Sequence, residues 1–279
     1  MQNKKIGQLL SLKKRLYDFK LLALDMDGTS LDSDGKLPIE LINFINSENF
    51  GNLVIVFATG RMPLAVYNPL KMLNISKVVI SHNGAVISNL ENGNCYYENY
   101  VPSEIVQFSI NLHKQFQIPL HLNLTNEVIT DKITSTSKIY AKHLGIEIKQ
   151  VDLSTMKENV ISLLFLSKKS ELDSILKQIK NRFKNFSYVL IPDKNFWLLQ
   201  ILPKNTSKGG GVIQLAKILN ISKEDIISFG DSYNDVEMLR NSGIGIAMGN
   251  SCEELKEIAD YITLSNDDNG VLKALQNLL

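Results

Sequence analysis

Residues 20–29 read Lys20-Leu21-Leu22-Ala23-Leu24-Asp25-Met26-Asp27-Gly28-Thr29. Four apolar residues lead directly into two carboxylates that are one residue apart, and a Gly-Thr pair follows. An apolar run bounded by glycine and polar residues is typical of a buried strand of a parallel sheet. Because open α/β sheets bind ligands at the carboxyl ends of their strands, this stretch predicts a site that contains Asp25 and Asp27.

The two carboxylates favour a metal-assisted site. Two acids this close repel each other, which raises the pKa of one of them unless a cation lies with them. In this interpretation Asp25 is the nucleophile, Asp27 gives and takes a proton, and Mg²⁺ holds a phosphate against Asp25. The alternative is a solvated turn after the strand, because Asp-Gly is a common turn pair. The stretch alone favours function only modestly.

The composition is that of an ordinary globular protein with one large or two medium domains, since the chain has 279 residues with 44% hydrophobic and 21% charged residues. A formal net charge of +1 gives no electrostatic reason to expect a nucleic-acid or membrane partner. No apolar run approaches the ~20 residues of a transmembrane helix. Cys95 and Cys252 fit small buried side chains in a reducing compartment, which predicts a cytoplasmic location.

Strands and helices alternate at both ends of the sequence. After the first strand, a second over 52–58 and a third over 77–81 flank a helix that starts near Pro63, and the alternation returns from residue 207. This pattern predicts an α/β fold with a doubly wound, Rossmann-like parallel sheet.

The middle of the chain has a different pattern, with a predicted hairpin over 120–130 and strands that are polar on one face. We expect an inserted α+β domain there. The predicted organisation is an N-terminal extension over 1–19, a catalytic core over 20–85 and 196–279, and an inserted domain over 86–195.

Four groups of polar residues are predicted at strand ends or at a helix start of the core: Asp25 with Asp27, Thr59-Gly60, Lys208, and Asp231 with Asn234 and Asp235. Dephosphorylation by a carboxylate needs such a set, in which hydroxyl and N–H groups hold phosphoryl oxygens and a cation neutralises them. Each group also has a simpler interpretation as a helix cap or a solvated charge. All four together, in this order, favour a phosphate site. Oxygen ligands without a His/Cys cluster favour Mg²⁺.

The sequence resembles the haloacid dehalogenase (HAD) superfamily of phosphotransferases in four motifs: Asp25-Met26-Asp27-Gly28-Thr29, Thr59-Gly60-Arg61, Lys208, and Gly230-Asp231-Ser232-Tyr233-Asn234-Asp235. The insert resembles the type IIB cap of Cof-type phosphatases. Three further segments look like Cof-type features: Asn83-Gly84-Ala85, Ala247-Met248-Gly249-Asn250, and Ser265-Asn266-Asp267-Asp268-Asn269-Gly270-Val271. One departure is Ser30, where the family usually has an apolar residue.

The resemblance implies a role for each motif residue. Asp25 attacks phosphorus to form an aspartyl-phosphate, and Asp27 protonates the leaving oxygen and later activates water. Mg²⁺ is held by Asp25, the backbone carbonyl of Asp27, and Asp231, while Asp235 supports the site from behind. The phosphate contacts are the backbone of Met26, Thr59-Gly60, Lys208 and Asn234.

These roles imply a Mg²⁺-dependent phosphomonoester hydrolase for small phosphorylated metabolites, with sugar phosphates favoured, whose partner is a small phosphate ester. A phosphosugar mutase and a non-catalytic sugar-phosphate-binding regulator are the alternatives. His82 and His121 could each line the site or be structural.

Overall fold

The computed structural model describes residues 15–156, 159–192 and 196–279. Most of the predicted N-terminal extension, residues 1–14, lies outside these ranges. The described strands are β1 (Leu21–Leu24), β2 (Val54–Ala58), β3 (Val78–Ser81), β4 (Val86–Asn89), β5 (Cys95–Glu98), β6 (Leu120–Asn123), β7 (Val128–Thr130), β8 (Ile148–Gln150), β9 (Ser162–Ser167), β10 (Phe186–Pro192), β11 (Trp197–Pro203), β12 (Ile226–Gly230), β13 (Ile244–Ala247) and β14 (Tyr261–Ile262). The described α-helices are α1 (Ile39–Ser47), α2 (Pro63–Leu70), α3 (Ser103–Phe116), α4 (Ser135–Leu144), α5 (Lys169–Arg182), α6 (Lys208–Ile218), α7 (Val236–Arg240), α8 (Glu253–Ile258) and α9 (Gly270–Leu278).

The larger sheet forms the catalytic core, with strand order β14-β13-β12-β1-β2-β3-β4-β5. Strand β1 lies near its centre and pairs in parallel with β12 and β2. Its side chains alternate between two apolar layers, because Leu22 and Leu24 pack on one face while Leu21 and Ala23 pack on the other. Burial on both faces explains why the sequence of β1 is continuously apolar. The predicted α/β fold with a parallel sheet is confirmed.

The smaller sheet, with order β10-β11-β9-β6-β7-β8, belongs to the inserted cap domain, and we call it the cap sheet. Its pairs are antiparallel except for β7 with β8, which are parallel. The predicted hairpin is present as β6 and β7, in register at Leu122 and Ile129. Helices α3 and α5 cover one face of this sheet with a shared apolar core.

The two sheets divide the chain at positions that differ from the predicted domain boundaries. Strands β4 and β5 pair antiparallel with the end of the larger sheet, whereas β11 lies within the cap sheet. Sequence pattern did not indicate this, because β4 follows a reversal of chain direction and β11 is as apolar as a core strand. We therefore propose that the cap domain spans about residues 99–205 instead of 86–195.

The reversal before β4 depends on backbone conformations that few residues adopt. His82, Asn83 and Gly84 have φ values of 48°, 52° and 97°. At Gly84 a Cβ would lie 2.1 Å from the carbonyl oxygen of Ser207, so only glycine fits. This turn holds Asn83 beside the end of β2.

Both cysteines are free thiols. Cys252 is half-buried, but Cys95 is exposed because it lies on the edge strand β5, so the predicted burial is wrong for Cys95. Of the described helices, none is both long enough and apolar enough to cross a bilayer.

Candidate active site

One cavity of about 250 Å³ lies between the core sheet and the cap domain, at the carboxyl ends of the core strands. The predicted residues that line it are Asp25, Asp27, Thr59, Gly60, Lys208, Asp231 and Asn234. Parallel strands bring these ends to one edge, so residues more than 200 positions apart meet there. Met26 is fully buried and is not among the lining residues, so its predicted backbone contact with the phosphate stays a prediction.

Lys208 lies between two buried carboxylates. Its Nζ donates to Asp25 Oδ1 at 2.5 Å and to Asp235 Oδ1 at 2.7 Å, and all three side chains are at most 3% exposed. Burial alone would lower the pKa of Lys208, but the charges of Asp235 and Asp25 outweigh it and raise this pKa. Lys208 is therefore a fixed ammonium beside the predicted nucleophile.

The carboxylates outnumber this cation. Burial, and then the charge of Asp235, raise the pKa of Asp25 well above its ordinary value, and Lys208 offsets this only in part. Burial and Asp235 likewise raise the pKa of Asp231 to about 6. One oxygen each of Asp25, Asp231 and Asp235 lies within 4.8 Å of the other two. With all three ionised, one ammonium leaves an excess of two negative charges, which matches a divalent cation.

Asp235 differs from the other two acids because protein donors occupy both of its oxygens, whereas Asp25 and Asp231 each accept from a protein side chain through Oδ1. Its Oδ1 accepts from Lys208, and its Oδ2 accepts from the backbone N–H groups of Asp231 and Ser232 at 3.1 and 3.0 Å. Asp25 and Asp231, in contrast, line the cavity. The carboxylate oxygens of Asp25 and Asp231 and the excess of negative charge fit Mg²⁺. Asp235 would support this site by holding Lys208 and the backbone of Asp231 in place.

The loop after β1 fits closely around Asp231. Gly28 has a φ of +77°, and a Cβ there would lie 2.4 Å from Asp231 Oδ2, which explains the glycine of the Asp-Gly pair. The buried hydroxyl of Ser30 donates to the carbonyl of Asp25 at 2.7 Å. Asn250, from a segment with Cof-type character, donates to the carbonyl of Gly28 at 2.8 Å. Ser30, the position that departs from the family pattern, therefore ties this loop to the backbone of the predicted nucleophile.

Asp27 points away from the cluster of acids and pairs with Arg61. Arg61 Nε donates to Asp27 Oδ2 at 2.8 Å, and a second guanidinium nitrogen lies 2.5 Å from Oδ1. No role for Arg61 was predicted from the sequence. Its place directly after Thr59-Gly60 could have indicated a role in the site, because it puts a cation just after the end of a strand. This bidentate contact holds Asp27 at the cavity wall.

A chain of amide side chains connects the core to the cap domain, and for two of its members, Asn83 and Gln200, no role was predicted from the sequence. Asn234 Nδ2 donates to Asn83 Oδ1 at 2.9 Å, and Asn83 Nδ2 donates to Gln200 Oε1 at 2.6 Å. Gln200 Nε2 then donates to Ser162 Oγ at 2.9 Å. Gln200 could have been singled out from the sequence because it is an amide within the apolar strand β11, and a buried polar group needs hydrogen-bond partners.

The sequence allowed either a place in the site or a structural role for His82 and His121. Neither is among the described residues that line the cavity. His82 is buried, with neither ring nitrogen hydrogen-bonded, and burial lowers its pKa to about 4. His121 is buried in the cap domain, where its Nε2 contacts Ser137 Oγ at 2.9 Å. A third histidine, His143 on α4, does line the cavity.

Comparison with known proteins gives consistent similarities. The family model of haloacid dehalogenase-like hydrolases matches residues 22–275. The phosphatase YwpJ of Bacillus subtilis is 28% identical over 291 residues, covering 93% of this chain and 100% of its own. The 5-amino-6-(5-phospho-D-ribitylamino)uracil phosphatase YwtE of the same organism is 28% identical over 287 residues, covering 93% and 98%. The structure of BT4131, a subclass IIB sugar phosphatase, matches with a TM-score of 0.80 at 25% identity, covering 93% and 100%.

Proposed function

Because the chain belongs to the haloacid dehalogenase-like hydrolase family, we propose that it hydrolyses phosphomonoesters with Mg²⁺ through an aspartyl-phosphate on Asp25. The protein is a phosphatase for small phosphorylated substrates and resembles the Cof-type phosphatases of subclass IIB. The observation that carries the proposal is the cluster of Asp25, Asp231 and Asp235 around Lys208 at the end of the central strand.

In this proposal Asp25, Asp231 and the backbone carbonyl of Asp27 hold the Mg²⁺. The cation supplies charge neutralisation to the phosphoryl oxygens when it is bound. Lys208, Asn234, Thr59-Gly60 and the backbone of Met26 hold the same group from the protein side. Lys208 also orients Asp25, since it contacts one of the two oxygens of that carboxylate.

The first step transfers the phosphoryl group to Asp25. A carboxylate oxygen of Asp25 forms a bond to phosphorus while the bond from phosphorus to the ester oxygen breaks, and Asp27 gives its proton to that oxygen. Both carboxylate oxygens of Asp27 are held by Arg61, so this contact must loosen when Asp27 gives its proton to the ester oxygen.

The second step hydrolyses the aspartyl-phosphate and regenerates the free carboxylate of Asp25. Asp27, now a carboxylate, takes a proton from water as the water oxygen attacks phosphorus, and the bond between phosphorus and Asp25 breaks. Inorganic phosphate is released, and Asp27 is again protonated. The same side chain thus serves as acid and then as base, which requires only one proton carrier at the site.

Phosphate release by the purified protein, with Mg²⁺ and then with EDTA, tests this proposal. We expect Asp25→Asn to lower turnover at least about 1,000-fold because the nucleophile is lost, with an unchanged circular dichroism spectrum. Asp34→Asn is the matched control, since its carboxylate is 80% exposed. Acid-quenched wild type incubated with a ³²P-labelled ester should retain label that hydroxylamine removes. Substantial activity of Asp25→Asn would refute the covalent mechanism.

The substrate remains a prediction within the class of small phosphate esters. The sequence resemblance favours sugar phosphates, and BT4131 is a sugar phosphatase, whereas YwtE acts on a phosphoribityl-substituted uracil. A panel containing both kinds of ester decides between them. Isomer formation in place of phosphate release would identify a mutase, and tight binding without turnover would identify a regulator. A cytoplasmic location also remains a prediction.

A further inference from the structure

The cap sheet has a second apolar face, which α3 and α5 do not cover and which α4 covers only in part, since Tyr140 of α4 packs against Leu164 and Leu198 there. On β9, β10 and β11 the side chains alternate, so that Leu163, Phe165, Leu199 and Ile201 pack in the core with α3 and α5. Their neighbours point to the opposite face, which forms part of the cavity above the carboxylates. A sheet face exposed to water usually carries polar side chains.

Five aliphatic side chains from this side of the cap domain line the cavity: Leu144, Leu164, Val189, Ile191 and Leu198. We call them the cap wall. The pairing register places Val189, Gln200 and Leu164 side by side across three strands, and Ile191 beside Leu198. The four strand residues of the cap wall therefore lie on one face of the sheet around Gln200, and Leu144 of α4 lines the same cavity.

The described polar side chains that the cap domain adds to this cavity are fewer than the aliphatic ones: Tyr140, whose ring packs against Leu164 and Leu198, His143 and Gln200. Gln200 is 7% exposed, and its amide is already paired with Asn83 and with Ser162. His143 is exposed and lies one position before Leu144 on α4. Hydroxyl groups of a sugar that face the five aliphatic side chains would have no hydrogen-bond partners there, which is unfavourable.

From this surface, and resting on the proposed phosphatase function, we infer that the preferred substrate is a phosphate ester whose alcohol carries an apolar or aromatic ring. Its phosphate lies at Asp25 and Lys208, and its ring packs on the cap wall. The cavity of about 250 Å³ is just below the range of about 300–1,000 Å³ for pockets that enclose drug-sized ligands. That size fits one ring with its phosphate.

Two primary phosphate esters with the same type of leaving oxygen test this inference. Benzyl phosphate has an apolar ring, and glucose 6-phosphate has a hydroxylated one, so they differ mainly in the group that meets the cap wall. We expect kcat/KM of the wild type to be at least about 10-fold higher for benzyl phosphate. An equal or higher value for glucose 6-phosphate overturns the inference and leaves the phosphatase proposal intact.

A substitution in the cap wall gives an independent test. Leu198→Asn should reduce the preference for benzyl phosphate over glucose 6-phosphate about 10-fold, because it places an amide where the ring packs. Leu219→Asn is the matched control, as this leucine is 41% exposed and lies outside the cavity. An unchanged preference in Leu198→Asn contradicts the inference. Acetyl phosphate, which has no ring, reports the chemistry separately: Mg²⁺-dependent turnover of none of the three compounds would overturn the phosphatase proposal itself.

Discussion

Asp231→Asn should stabilise the metal-free protein, although it removes a residue of the active site. The pKa of Asp231 is raised from 3.8 to about 6, mainly by burial and then by Asp235. At about 1.36 kcal/mol per pH unit, that difference corresponds to about 3 kcal/mol of folding free energy lost when Asp231 is ionised. The neutral amide has nearly the same shape and avoids this cost, so the variant should unfold at a higher denaturant concentration.

The sign of the pH dependence follows from the raised pKa. Above about pH 6 the folded protein holds an unfavourable ionised Asp231, and the variant gains its full advantage there. As pH falls from about 6 towards 3.8, the carboxyl becomes protonated in the folded state and the advantage disappears. At pH 8 the midpoint of thermal unfolding should rise by roughly 6 °C in EDTA, from the scaling of about 2 °C per kcal/mol for large domains.

Mg²⁺ should reverse the order of stability. A ligand at 1,000 times its dissociation constant stabilises the folded state by about 4.1 kcal/mol, which exceeds the advantage of about 3 kcal/mol that the variant has in EDTA, and only the wild type retains both proposed acid ligands, Asp25 and Asp231. The assay is urea unfolding at pH 8 in EDTA and in Mg²⁺, with Asp34→Asn as an exposed control that should stay within about 0.5 kcal/mol of wild type. If the variant is less stable than wild type in EDTA, or if Mg²⁺ stabilises both equally, the reasoning about this cluster is wrong.

Three other substitutions test the remaining contacts of the site. Lys208→Met leaves Asp25 and Asp235 buried without their cation, so the free energy of unfolding in EDTA should fall by about 3–5 kcal/mol in urea titrations. Asp27→Asn should slow both formation and hydrolysis of the phosphoenzyme in rapid-quench experiments; accumulation of phosphoenzyme instead would restrict Asp27 to the second step. Asn83→Gly keeps the left-handed backbone but frees Asn234, so KM should rise about 10-fold with a smaller change in kcat; an unchanged KM would contradict this contact.

The positions of Asp25 and Lys208 could be predicted from sequence because local pattern and sheet topology decide them. A continuous apolar strand places Asp25 at a carboxyl end, and parallel pairing then brings distant strand ends together. The partner of Asp27 could not be predicted in this way. It depends on the direction in which the Arg61 side chain extends after β2, and no local pattern encodes that direction.

The domain boundary and the cap wall were unpredictable for a related reason. A single-sequence pattern shows that β11 is apolar, but it does not show which sheet the strand joins or which of its faces meets a cavity. Leu198 and Leu199 are adjacent leucines with opposite surroundings, since one faces the cavity and the other lies in the cap core. Their roles separate only once the pairing register is known.

The hydrogen bond between Asn83 and Gln200 connects the predicted phosphate site of the core with the cap sheet. Asn83 lies on a strained turn of the core and contacts a predicted phosphate ligand, Asn234, while Gln200 belongs to the sheet that carries the cap wall. Movement of the cap domain away from the core must break this bond, and water would then replace it, at a net cost of about 1 kcal/mol. Such a cost favours the closed arrangement by a factor of about 5 and still permits opening for substrate entry. The same bond couples cap position to Asn234, so a ring packed on the cap wall and a phosphate held at Asp25 should each favour the geometry that the other requires.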